Sequence, residues 1–393
     1  MKLQMPDFFL LFVFASDRAK AEHFIDAHFD TKDLLNIANS STDNVSILES
    51  VIQQKLRLRQ RTIFDASRLS QSCRIRFKKM AKKYHCPARC LVLKSKETSN
   101  LQHDQFIKTL KKDGFKEIED LKAGSAITIN IGSNPNDKSS LKGPFDIIGD
   151  VHGCYKELCV LLDKLGYQIS YADSGKESFT ATHLAGRKLI FVGDLVDKGP
   201  DTPDVIRLAL SLIKLDMAYC VLGNHEAKLL KKLEGRNVTL THGLDKSVLQ
   251  FEKETPAFQE EAIAFIESLP HHLVFDDGNL VIAHAGIQEQ MILRDSGTIK
   301  AFCLYGETTG KLDADGLPER KNWALQNKGK AIVVHGHVPV LDAVWLNNVL
   351  DIDTGCVYGG SLTALRYPEM DLVKVPALDV YSMPKSGKNP FRE

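Results

Sequence analysis

The sequence predicts an α/β protein with two domains, on three observations. The 393 residues exceed what one hydrophobic core usually holds. Apolar runs of strand length alternate with segments of helical period, which favours parallel sheets covered by helices. The segment GSNPNDKSSLKG (132–143) is rich in turn formers and has no apolar period. We therefore predict domains over 1–131 and 144–383, a linker over 132–143, and a polar, disordered tail over 384–393.

The composition and the charge bear on the partners and the cellular compartment of the protein. Lys and Arg number 51 against 50 Asp and Glu, so the overall charge indicates neither a membrane surface nor a nucleic-acid partner. The eight cysteines show no paired CxxC spacing, which favours reduced thiols in a cytosolic enzyme. The apolar run Phe8–Ala15 is too short to span a bilayer, and Pro6 and Asp7 do not suit a signal peptide. We expect a cytoplasmic protein that does not enter the membrane, and the oligomeric state stays open.

Apolar runs and helical periods alternate through the N-terminal part. The predicted strands are Phe8–Ala15, Thr62–Phe64, Ala88–Leu93 and Ile127–Ile131. The predicted helices are Lys20–Phe29, one through Val51–Arg59, and Ser67–Tyr84. In the last of these, Leu69, Cys73, Phe77, Met80 and Tyr84 recur at three- and four-residue steps, which gives one apolar face.

The C-terminal part places helices between strands and then changes pattern. The predicted helices are Tyr155–Leu165, Pro203–Leu215 and Phe258–Leu269. The later predicted strands are Leu341–Asp353, Leu362–Arg366, Leu372–Val375 and Leu378–Tyr381. Because no helix lies between these later strands, they predict an antiparallel continuation. Two packed sheets covered by helices would accommodate this order.

Five motifs in the C-terminal part end an apolar run in a polar residue of metal-ligand type. In order they are FDIIGDVHG (145–153), LIFVGDLVDKG (189–199), VLGNHE (221–226), VIAHAG (281–286) and VVHGH (333–337). Such runs are typical of buried parallel strands, which present polar side chains at their carboxyl ends.

These motifs supply a mixed set of oxygen and nitrogen ligands. The candidate metal ligands are Asp150, His152, Asp194, Asn224, His284 and His337. Asp150 and His152 are two residues apart and can face one ion, whereas the carboxylate of Asp194 can bridge two. The set suits a pair of divalent cations.

A pair of cations would bind a phosphoryl group and activate a water molecule. His225, next to Asn224, is the candidate general acid for the leaving oxygen, with Asp197 placed to orient it. Lys198 would contact the phosphate oxygens. A single such motif could be turn chemistry, but five in one order favour a metal-dependent phosphatase. His242, His271, His272 and His335 lack a supporting pattern and are interpreted as structural.

The motifs resemble those of the binuclear metallophosphoesterases, in particular the calcineurin-like branch. The phosphatase module of bacterial polynucleotide kinase–phosphatases is similar through most of Gly143–Glu369. Its further matching segments are FCLYGETTG (302–310), GLPER (316–320), WA (323–324), VVHGHVPV (333–340) and NVLDIDTGCVYGGSLTALRYPE (348–369). The resemblance implies a calcineurin-like β-sandwich flanked by helices.

The resemblance also implies a further ligand and a substrate class. Asp353 would help bind metal, since Pro339 stands where other branches have a second histidine. The metal would be Mn²⁺, with Ni²⁺, Fe or Zn²⁺ as alternatives. Substrates would be phosphomonoesters: nucleotides, or RNA or DNA ends with 3′ or 2′,3′-cyclic phosphates. Symmetrical hydrolysis of bis(5′-nucleosyl) tetraphosphates and serine/threonine phosphoprotein dephosphorylation are the alternatives within enzymes.

One residue departs from the phosphatase pattern. The family has Arg where this chain has Lys198, and Lys lacks the planar fork that binds phosphate in a bidentate manner. We expect phosphate binding to be weaker by a factor of about ten, or about 1.4 kcal/mol.

The N-terminal part resembles the kinase module of the same family over Thr62–Leu93. However, the segment Ala15–His23 has no glycines where that module has its phosphate-binding loop, and Glu22 would repel phosphates. We therefore predict a degenerate P-loop-kinase-like domain without ATP chemistry.

Residues 51–90 contain twelve basic residues and one acidic residue, Asp65. This local excess could hold a nucleic-acid backbone. The alternative, which we favour, is a solvated helix face balanced by acids elsewhere. A different class of function, an RNA-binding or scaffold protein with a vestigial phosphatase, is disfavoured by the intact ligand set.

Overall fold

The chain divides into two units, each with its own sheets and helices. Unit 1 comprises Met1–Asn134 with Arg294–Ser296, and unit 2 comprises Pro135–Leu293 with Gly297–Glu393. The computed structural model describes residues 2–16, 18–35, 44–94, 99–122, 127–171, 179–312, 318–384, 387 and 389–391. Among these residues, no helix has both the length and the apolar character needed to cross a bilayer.

Unit 1 is an α/β structure. Its strands are β1 (Lys2–Met5), β2 (Leu10–Ala15), β3 (Thr62–Asp65), β4 (Ala88–Lys94), β5 (Glu117–Lys122) and β6 (Thr128–Ile131). Its helices are α1 (Arg18–His28), α2 (Asn44–Arg57), α3 (Gln71–Lys83) and α4 (Asn100–Lys112). A four-stranded parallel sheet has the order β3-β2-β4-β5, and β1 pairs with β6 in parallel.

The central strand β2 is apolar on both faces, as a covered parallel sheet requires. On one face the Phe12 ring lies 4.9 Å from that of Phe64 and 5.0 Å from that of Phe115. On the other face Leu11 and Val13 belong to a second buried cluster. The predicted strands and helices of this part are confirmed as elements, although α2 begins earlier than predicted, and β1, α4 and β5 were not predicted. The kinase-like origin of the domain stays a prediction.

Unit 2 contains two large sheets and two small hairpins. Its strands are β7 (Asp137–Lys138), β8 (Phe145–Ile148), β9 (Tyr167–Tyr171), β10 (Phe179–His183), β11 (Lys188–Phe191), β12 (Ala218–Cys220), β13 (Leu273–Phe275), β14 (Leu280–Ile282), β15 (Thr308–Leu312), β16 (Pro318–Arg320), β17 (Ile332–His335), β18 (Trp345–Leu346), β19 (Val349–Asp351), β20 (Ser361–Tyr367) and β21 (Asp371–Pro376). Its helices are α5 (Tyr155–Leu165), α6 (Thr202–Lys214), α7 (Asn224–Leu233), α8 (Leu244–Phe251), α9 (Pro256–Ser268) and α10 (Gly297–Tyr305).

The two large sheets pack face to face. One has the order β12-β11-β8-β20-β21 and the other β18-β19-β17-β14-β13-β7. A single buried cluster joins them, with Phe145 and Ile190 from the first sheet and Phe275 and Ile282 from the second. The outer face of the first sheet packs against α5 and α6. The predicted sandwich flanked by helices is therefore present, and β20 and β21 form the predicted antiparallel continuation.

Part of the segment predicted as a linker belongs to a sheet. The strand β7 lies within 132–143 and pairs in parallel with β13. The Val274 amide donates to the Asn136 carbonyl, and Asn136 is buried. Because this pairing uses backbone groups, a turn-rich sequence without apolar period gave no signal for it.

One further prediction at the C-terminal end was wrong, and the predicted disorder of the tail stays a prediction. Leu378–Tyr381 forms no strand; its backbone bonds to the Glu157 carboxylate and the Val357 carbonyl instead. Within the tail, Asn389 donates to the Tyr358 carbonyl and the Phe391 ring stacks on Tyr358 at 6.4 Å. Both contacts are made by described residues of the tail to the same tyrosine. The remaining tail positions 385, 386, 388, 392 and 393 lie outside the described residues.

Candidate metal centre

Each large sheet of unit 2 directs the ends of three parallel strands toward one site. In the first sheet β8, β11 and β12 are parallel, and in the second β14, β17 and β19 are parallel. The predicted site residues follow these strands in order: Asp150 and His152 after β8, Asp194, Asp197 and Lys198 after β11, Asn224 and His225 after β12, His284 after β14, His337 after β17, and Asp353 after β19. The site is thus built at the carboxyl ends of the strands, where parallel sheets present their polar side chains.

One group of ligand atoms surrounds Nε2 of His284. This nitrogen lies 2.9 Å from Oδ1 of Asn224 and 3.0 Å from Nδ1 of His337. It lies 3.3 Å from Oδ1 of Asp194. Nδ1 of His284 is 3.1 Å from the Val192 carbonyl, which fixes the ring and leaves Nε2 facing the group.

A second group uses the other oxygen of Asp194. Its Oδ2 lies 3.7 Å from Nε2 of His152 and 3.8 Å from Nε2 of His225. The His152 ring is oriented by the bond between its Nδ1 and the Val196 carbonyl, 2.8 Å. Asp194 therefore contributes one oxygen to each group, as a bridging carboxylate would. The roles of the individual ligands stay predictions.

His225 makes the contact predicted for a general acid. Its Nδ1 lies 2.7 Å from Oδ2 of Asp197, and both side chains are buried. A carboxylate hydrogen-bonded to Nδ1 holds the ring in one orientation and leaves Nε2 facing the site. Since Nε2 of His225 also faces Asp194, the geometry leaves it near the reacting atoms.

The backbone adopts left-handed conformations at the site residues themselves. The residues concerned, with their φ angles, are His152 (47°), Asp194 (50°), Asp197 (71°), Lys198 (66°) and His337 (80°). Such conformations cost free energy in residues other than glycine and persist where the surrounding structure enforces them. Their concentration here indicates that the loops are shaped for the positions of these side chains.

Two glycines allow the ligands to approach the backbone. A Cβ atom on Gly336 would lie 2.0 Å from Oδ1 of Asp150, and one on Gly223 would lie 2.3 Å from Oδ1 of Asp194. No side chain fits at these distances. The glycines of the motifs are thus required by close packing against carboxylates.

Glu226 is a site residue that the sequence analysis did not single out. Its buried carboxylate accepts bonds from the amides of Asp194, Leu195, Val196 and Gly223, at 2.7 to 3.2 Å. It is the third residue of α7, from which a Glu side chain commonly reaches back to the amide before the helix. The Glu at the end of the motif VLGNHE, three residues after its Gly, is the sequence feature that indicates this contact. Glu226 holds the loop that carries Asp194.

Tyr358 was also missed. Nζ of Lys198 lies 5.1 Å from the centre of the Tyr358 ring and 2.7 Å from Nε2 of His152. The ring thus lies close to a buried cation. Since Phe391 stacks on Tyr358, the C-terminal segment supports the residue that positions Lys198.

Burial and neighbouring charges shift the pKa values of the carboxylates and histidines at the site. Burial, with Asp353 and Asp194 nearby, raises the pKa of Asp150 well above its usual value. Burial would also raise the pKa of Asp194, but His284 and His225 outweigh it and hold that pKa well below its usual value. Burial lowers the pKa of His152 and of His337, which favours the neutral imidazole that binds metal.

The donor set fits divalent cations. Oδ1 of Asp150 and Nε2 of His337 are buried without a hydrogen-bond partner among the described residues. Buried polar atoms of this kind are costly unless a ligand or ion satisfies them. Neutral imidazoles and carboxylates within one cluster are ligands suited to such an ion. When bound, the metals would polarise a phosphoryl group and activate water.

In unit 1, several of the basic residues in 51–90 are paired with acids. The pairs are Arg59–Asp7, Arg61–Asp33, Arg74–Asp113, Arg76–Glu49 and Arg89–Glu117. This pairing favours the alternative in which acids elsewhere balance the segment. Contact with nucleic acid stays a prediction.

Comparisons with known proteins concern unit 2. The family model of calcineurin-like phosphoesterases matches residues 143–380. The chain is 45% identical over 241 residues, 60% of this chain and 96% of the relative, to bis(5′-nucleosyl)-tetraphosphatase PrpE [asymmetrical] of Anoxybacillus flavithermus. It is 45% identical over 59% of its length to the protein of the same name from Geobacillus thermodenitrificans, with 94% of that relative covered. For the protein of that name from Halalkalibacterium halodurans the identity is 43%, over 59% of this chain and 94% of the relative.

Proposed function

Because the chain belongs to the calcineurin-like phosphoesterase family and is a metal-dependent phosphoric ester hydrolase, we propose that its substrates are bis(5′-nucleosyl) tetraphosphates, cleaved asymmetrically. The observation that carries the proposal is the similarity to relatives named for this activity, which extends over 94 to 96% of their length. The residues matched by the family model, 143–380, include every predicted residue of the candidate metal centre. The site can hold divalent cations, and we propose two ions of Mn²⁺.

The residues of the chain have separable tasks in this reaction. Water attacks a phosphorus atom, the bond from that phosphorus to the bridging oxygen breaks, and the bridging oxygen leaves with the remaining phosphates. Lys198 would bind the phosphoryl oxygens and offset their charge. His225 would donate a proton to the leaving oxygen while Asp197 orients its ring, the contact observed at 2.7 Å.

This proposal changes the order of the substrates expected from the sequence. The resemblance to polynucleotide kinase–phosphatases placed nucleotides and polynucleotide ends first, with symmetrical cleavage of tetraphosphates as an alternative. The named relatives favour the tetraphosphate and the asymmetrical cut, which yields a nucleoside mono- and triphosphate. Hydrolysis of polynucleotide ends stays a competing hypothesis and is tested in the same experiment.

A substrate panel with the full chain and Mn²⁺ tests the proposal. It contains diadenosine tetraphosphate, a 3′-phosphorylated oligonucleotide and a phosphopeptide, with the chelator-treated protein as control. We expect kcat/KM for the tetraphosphate to exceed the others by at least about tenfold, or about 1.4 kcal/mol in transition-state binding. The expected products are AMP and ATP, and elemental analysis should find about two divalent ions per chain. A higher kcat/KM for the oligonucleotide, or ADP as the main product, would refute the proposal.

A further inference from the structure

A cavity of about 440 Å³ adjoins the candidate metal centre within unit 2. Gly336 and His337 line it, and both also belong to the metal centre. Gly336 packs on the Asp150 carboxylate, and His337 contacts His284. The volume lies in the range of roughly 300–1,000 Å³ that small-molecule sites occupy. A ligand in this cavity would therefore lie directly beside the reacting phosphoryl group.

One wall of the cavity is apolar and open to solvent. Val338, Val344 and Leu346 line it, with exposures of 40%, 63% and 36%. At its base lies Trp323, whose ring packs 5.6 Å from that of His335 and against the backbone of Gly286. Apolar side chains grouped around an aromatic base in a concave site suit a flat ring rather than a bare phosphate chain.

The polar part of the lining carries one cation suited to phosphate. Lys321 is paired with Glu307 at 2.6 Å, and Asp342 with Lys374 at 2.7 Å. By contrast, the guanidinium of Arg320 donates to the Tyr305 carbonyl and, in the described part of the chain, makes no ion pair. A guanidinium held by one bond still offers several N–H donors to a phosphate.

We propose that this cavity binds the nucleoside next to the phosphoryl group that is attacked, and that it thereby selects the asymmetrical cut. The inference rests on the proposed function and deepens it by naming the part of the protein that recognises the nucleoside. The nucleobase would lie against Val344 and Leu346 above Trp323, and Arg320 would contact the phosphate chain.

The position of the cavity explains which bond breaks. Gly336 lines both the cavity and the metal centre, so a nucleoside bound in the cavity would present its nearest phosphate to the metal centre. The phosphorus at the metal centre is then the α-phosphorus of the bound nucleoside. Water adds its oxygen there, the bond to the oxygen bridging the α- and β-phosphates breaks, and that oxygen leaves on the nucleoside triphosphate and receives a proton. The bound nucleoside departs as its monophosphate.

Product inhibition tests the cavity without requiring a dinucleotide substrate. AMP and ribose 5-phosphate are compared as competitive inhibitors of p-nitrophenyl phosphate hydrolysis by the full chain with Mn²⁺. The two differ only in the base, so we expect AMP to bind at least about tenfold more tightly, the free energy of about 1.4 kcal/mol that such a factor represents. Val344→Asp should remove most of this preference by weakening the binding of AMP, while the inhibition constant of ribose 5-phosphate, which carries no base, changes by less than about twofold.

Leu184→Asp is the matched control, since it adds the same charge at a residue that is 98% exposed and does not line the cavity. Leu346→Asp provides a second cavity variant in case Val344→Asp lowers the melting temperature. The inference is overturned if AMP and ribose 5-phosphate inhibit equally, or if the control and the cavity variants behave alike.

Cleavage of diadenosine tetraphosphate separates this inference from the proposed function. If the wild-type chain yields AMP and ATP, the cavity variants should raise KM and increase the share of ADP among the products. If the chain does not cleave the tetraphosphate but prefers AMP over ribose 5-phosphate, the proposed function fails and the nucleoside site stands. If it cleaves the tetraphosphate without any preference for AMP, the proposed function stands and the cavity is not the nucleoside site.

Discussion

Units 1 and 2 both place polar residues after buried parallel strands, but they use them differently. In unit 1, Oδ1 of Asp65 at the end of β3 accepts the Ser67 amide, and Oγ of Ser67 accepts the Ala15 amide at the end of β2. The polar groups at these strand ends therefore hydrogen-bond to one another within unit 1. In unit 2, Oδ1 of Asp150 and Nε2 of His337 are buried without a protein partner among the described residues.

The connections from β2 to α1 and from β8 to α5 differ in the same way. Two residues separate β2 from α1, and neither is glycine. Six residues separate β8 from α5, and they include Gly149 and Gly153. The longer turn allows Asp150 and His152 to face inward, with His152 in a left-handed conformation. Parallel strands in the two units therefore carry different chemistry, because the residues after each strand determine whether its polar groups hydrogen-bond to one another or remain available to an ion.

The largest expected effect comes from matched carboxylates in the two units. Asp194→Asn should lower kcat/KM for p-nitrophenyl phosphate by about 10³-fold, or about 4 kcal/mol, because both ligand groups lose the oxygen charge they share. Asp65→Asn, the matched change at a strand end of unit 1, should alter it by less than about twofold. Steady-state kinetics at saturating Mn²⁺ measures both. Similar losses in the two variants would contradict the assignment of the metal centre to unit 2.

Metal binding should stabilise one unit. At a Mn²⁺ concentration of about one hundred times Kd, mass action adds about 2.7 kcal/mol to the free energy of unfolding of the unit that binds it. Hydrogen exchange followed by mass spectrometry should show slower exchange of peptides from 144–383, by up to about 100-fold for amides that exchange only on unfolding of that unit. Peptides from 2–122 serve as the internal control and should not change. Equal protection of both sets would refute a metal site confined to unit 2.

Replacement of Gly336 by alanine should weaken metal binding without removing a ligand. Gly336→Ala places a Cβ atom 2.0 Å from Oδ1 of Asp150, so the carboxylate must move. We expect the affinity for Mn²⁺, measured by calorimetry, to fall by about 10- to 100-fold, as for other changes that displace ligands indirectly. Gly297→Ala, where a Cβ meets no atom within 4 Å, is the matched control. An unchanged affinity in Gly336→Ala would show that Asp150 does not bind the metal.

The smallest expected effect concerns Lys198, in the loop that follows β11. Lys198→Arg should lower the inhibition constant of inorganic phosphate by about tenfold, since a guanidinium can bind two phosphate oxygens at once. Lys188→Arg, at the start of the same strand and paired with Asp216, is the control. If phosphate binds Lys198→Arg no more tightly than the wild type, Lys198 does not contact phosphate.

Much of the site was predictable because its ligands follow apolar runs that also identify strands. The residues Asp194, His284 and His337 were named from such runs. In the structure, Oδ1 of Asp194 and Nδ1 of His337 lie 3.3 and 3.0 Å from Nε2 of His284. Glu226 and Tyr358 were not predicted, since their importance depends on which amides and which cation lie beside them. The pairing of β7 was not predicted either, because it depends on backbone hydrogen bonds, which a turn-rich sequence without an apolar period does not indicate.

By itself the sequence determined the alternation of strands and helices, the order of the ligand-bearing turns, and the glycine-poor turn that distinguishes unit 1. These properties depend on side-chain period and on local turn chemistry, which act over a few neighbouring residues. Only the tertiary structure decided that Gly336 packs on Asp150, that Phe391 supports Tyr358, and that a cavity lies beside the metal centre. Those contacts join residues far apart in the chain, and the packing of two sheets rather than any local preference brings them together.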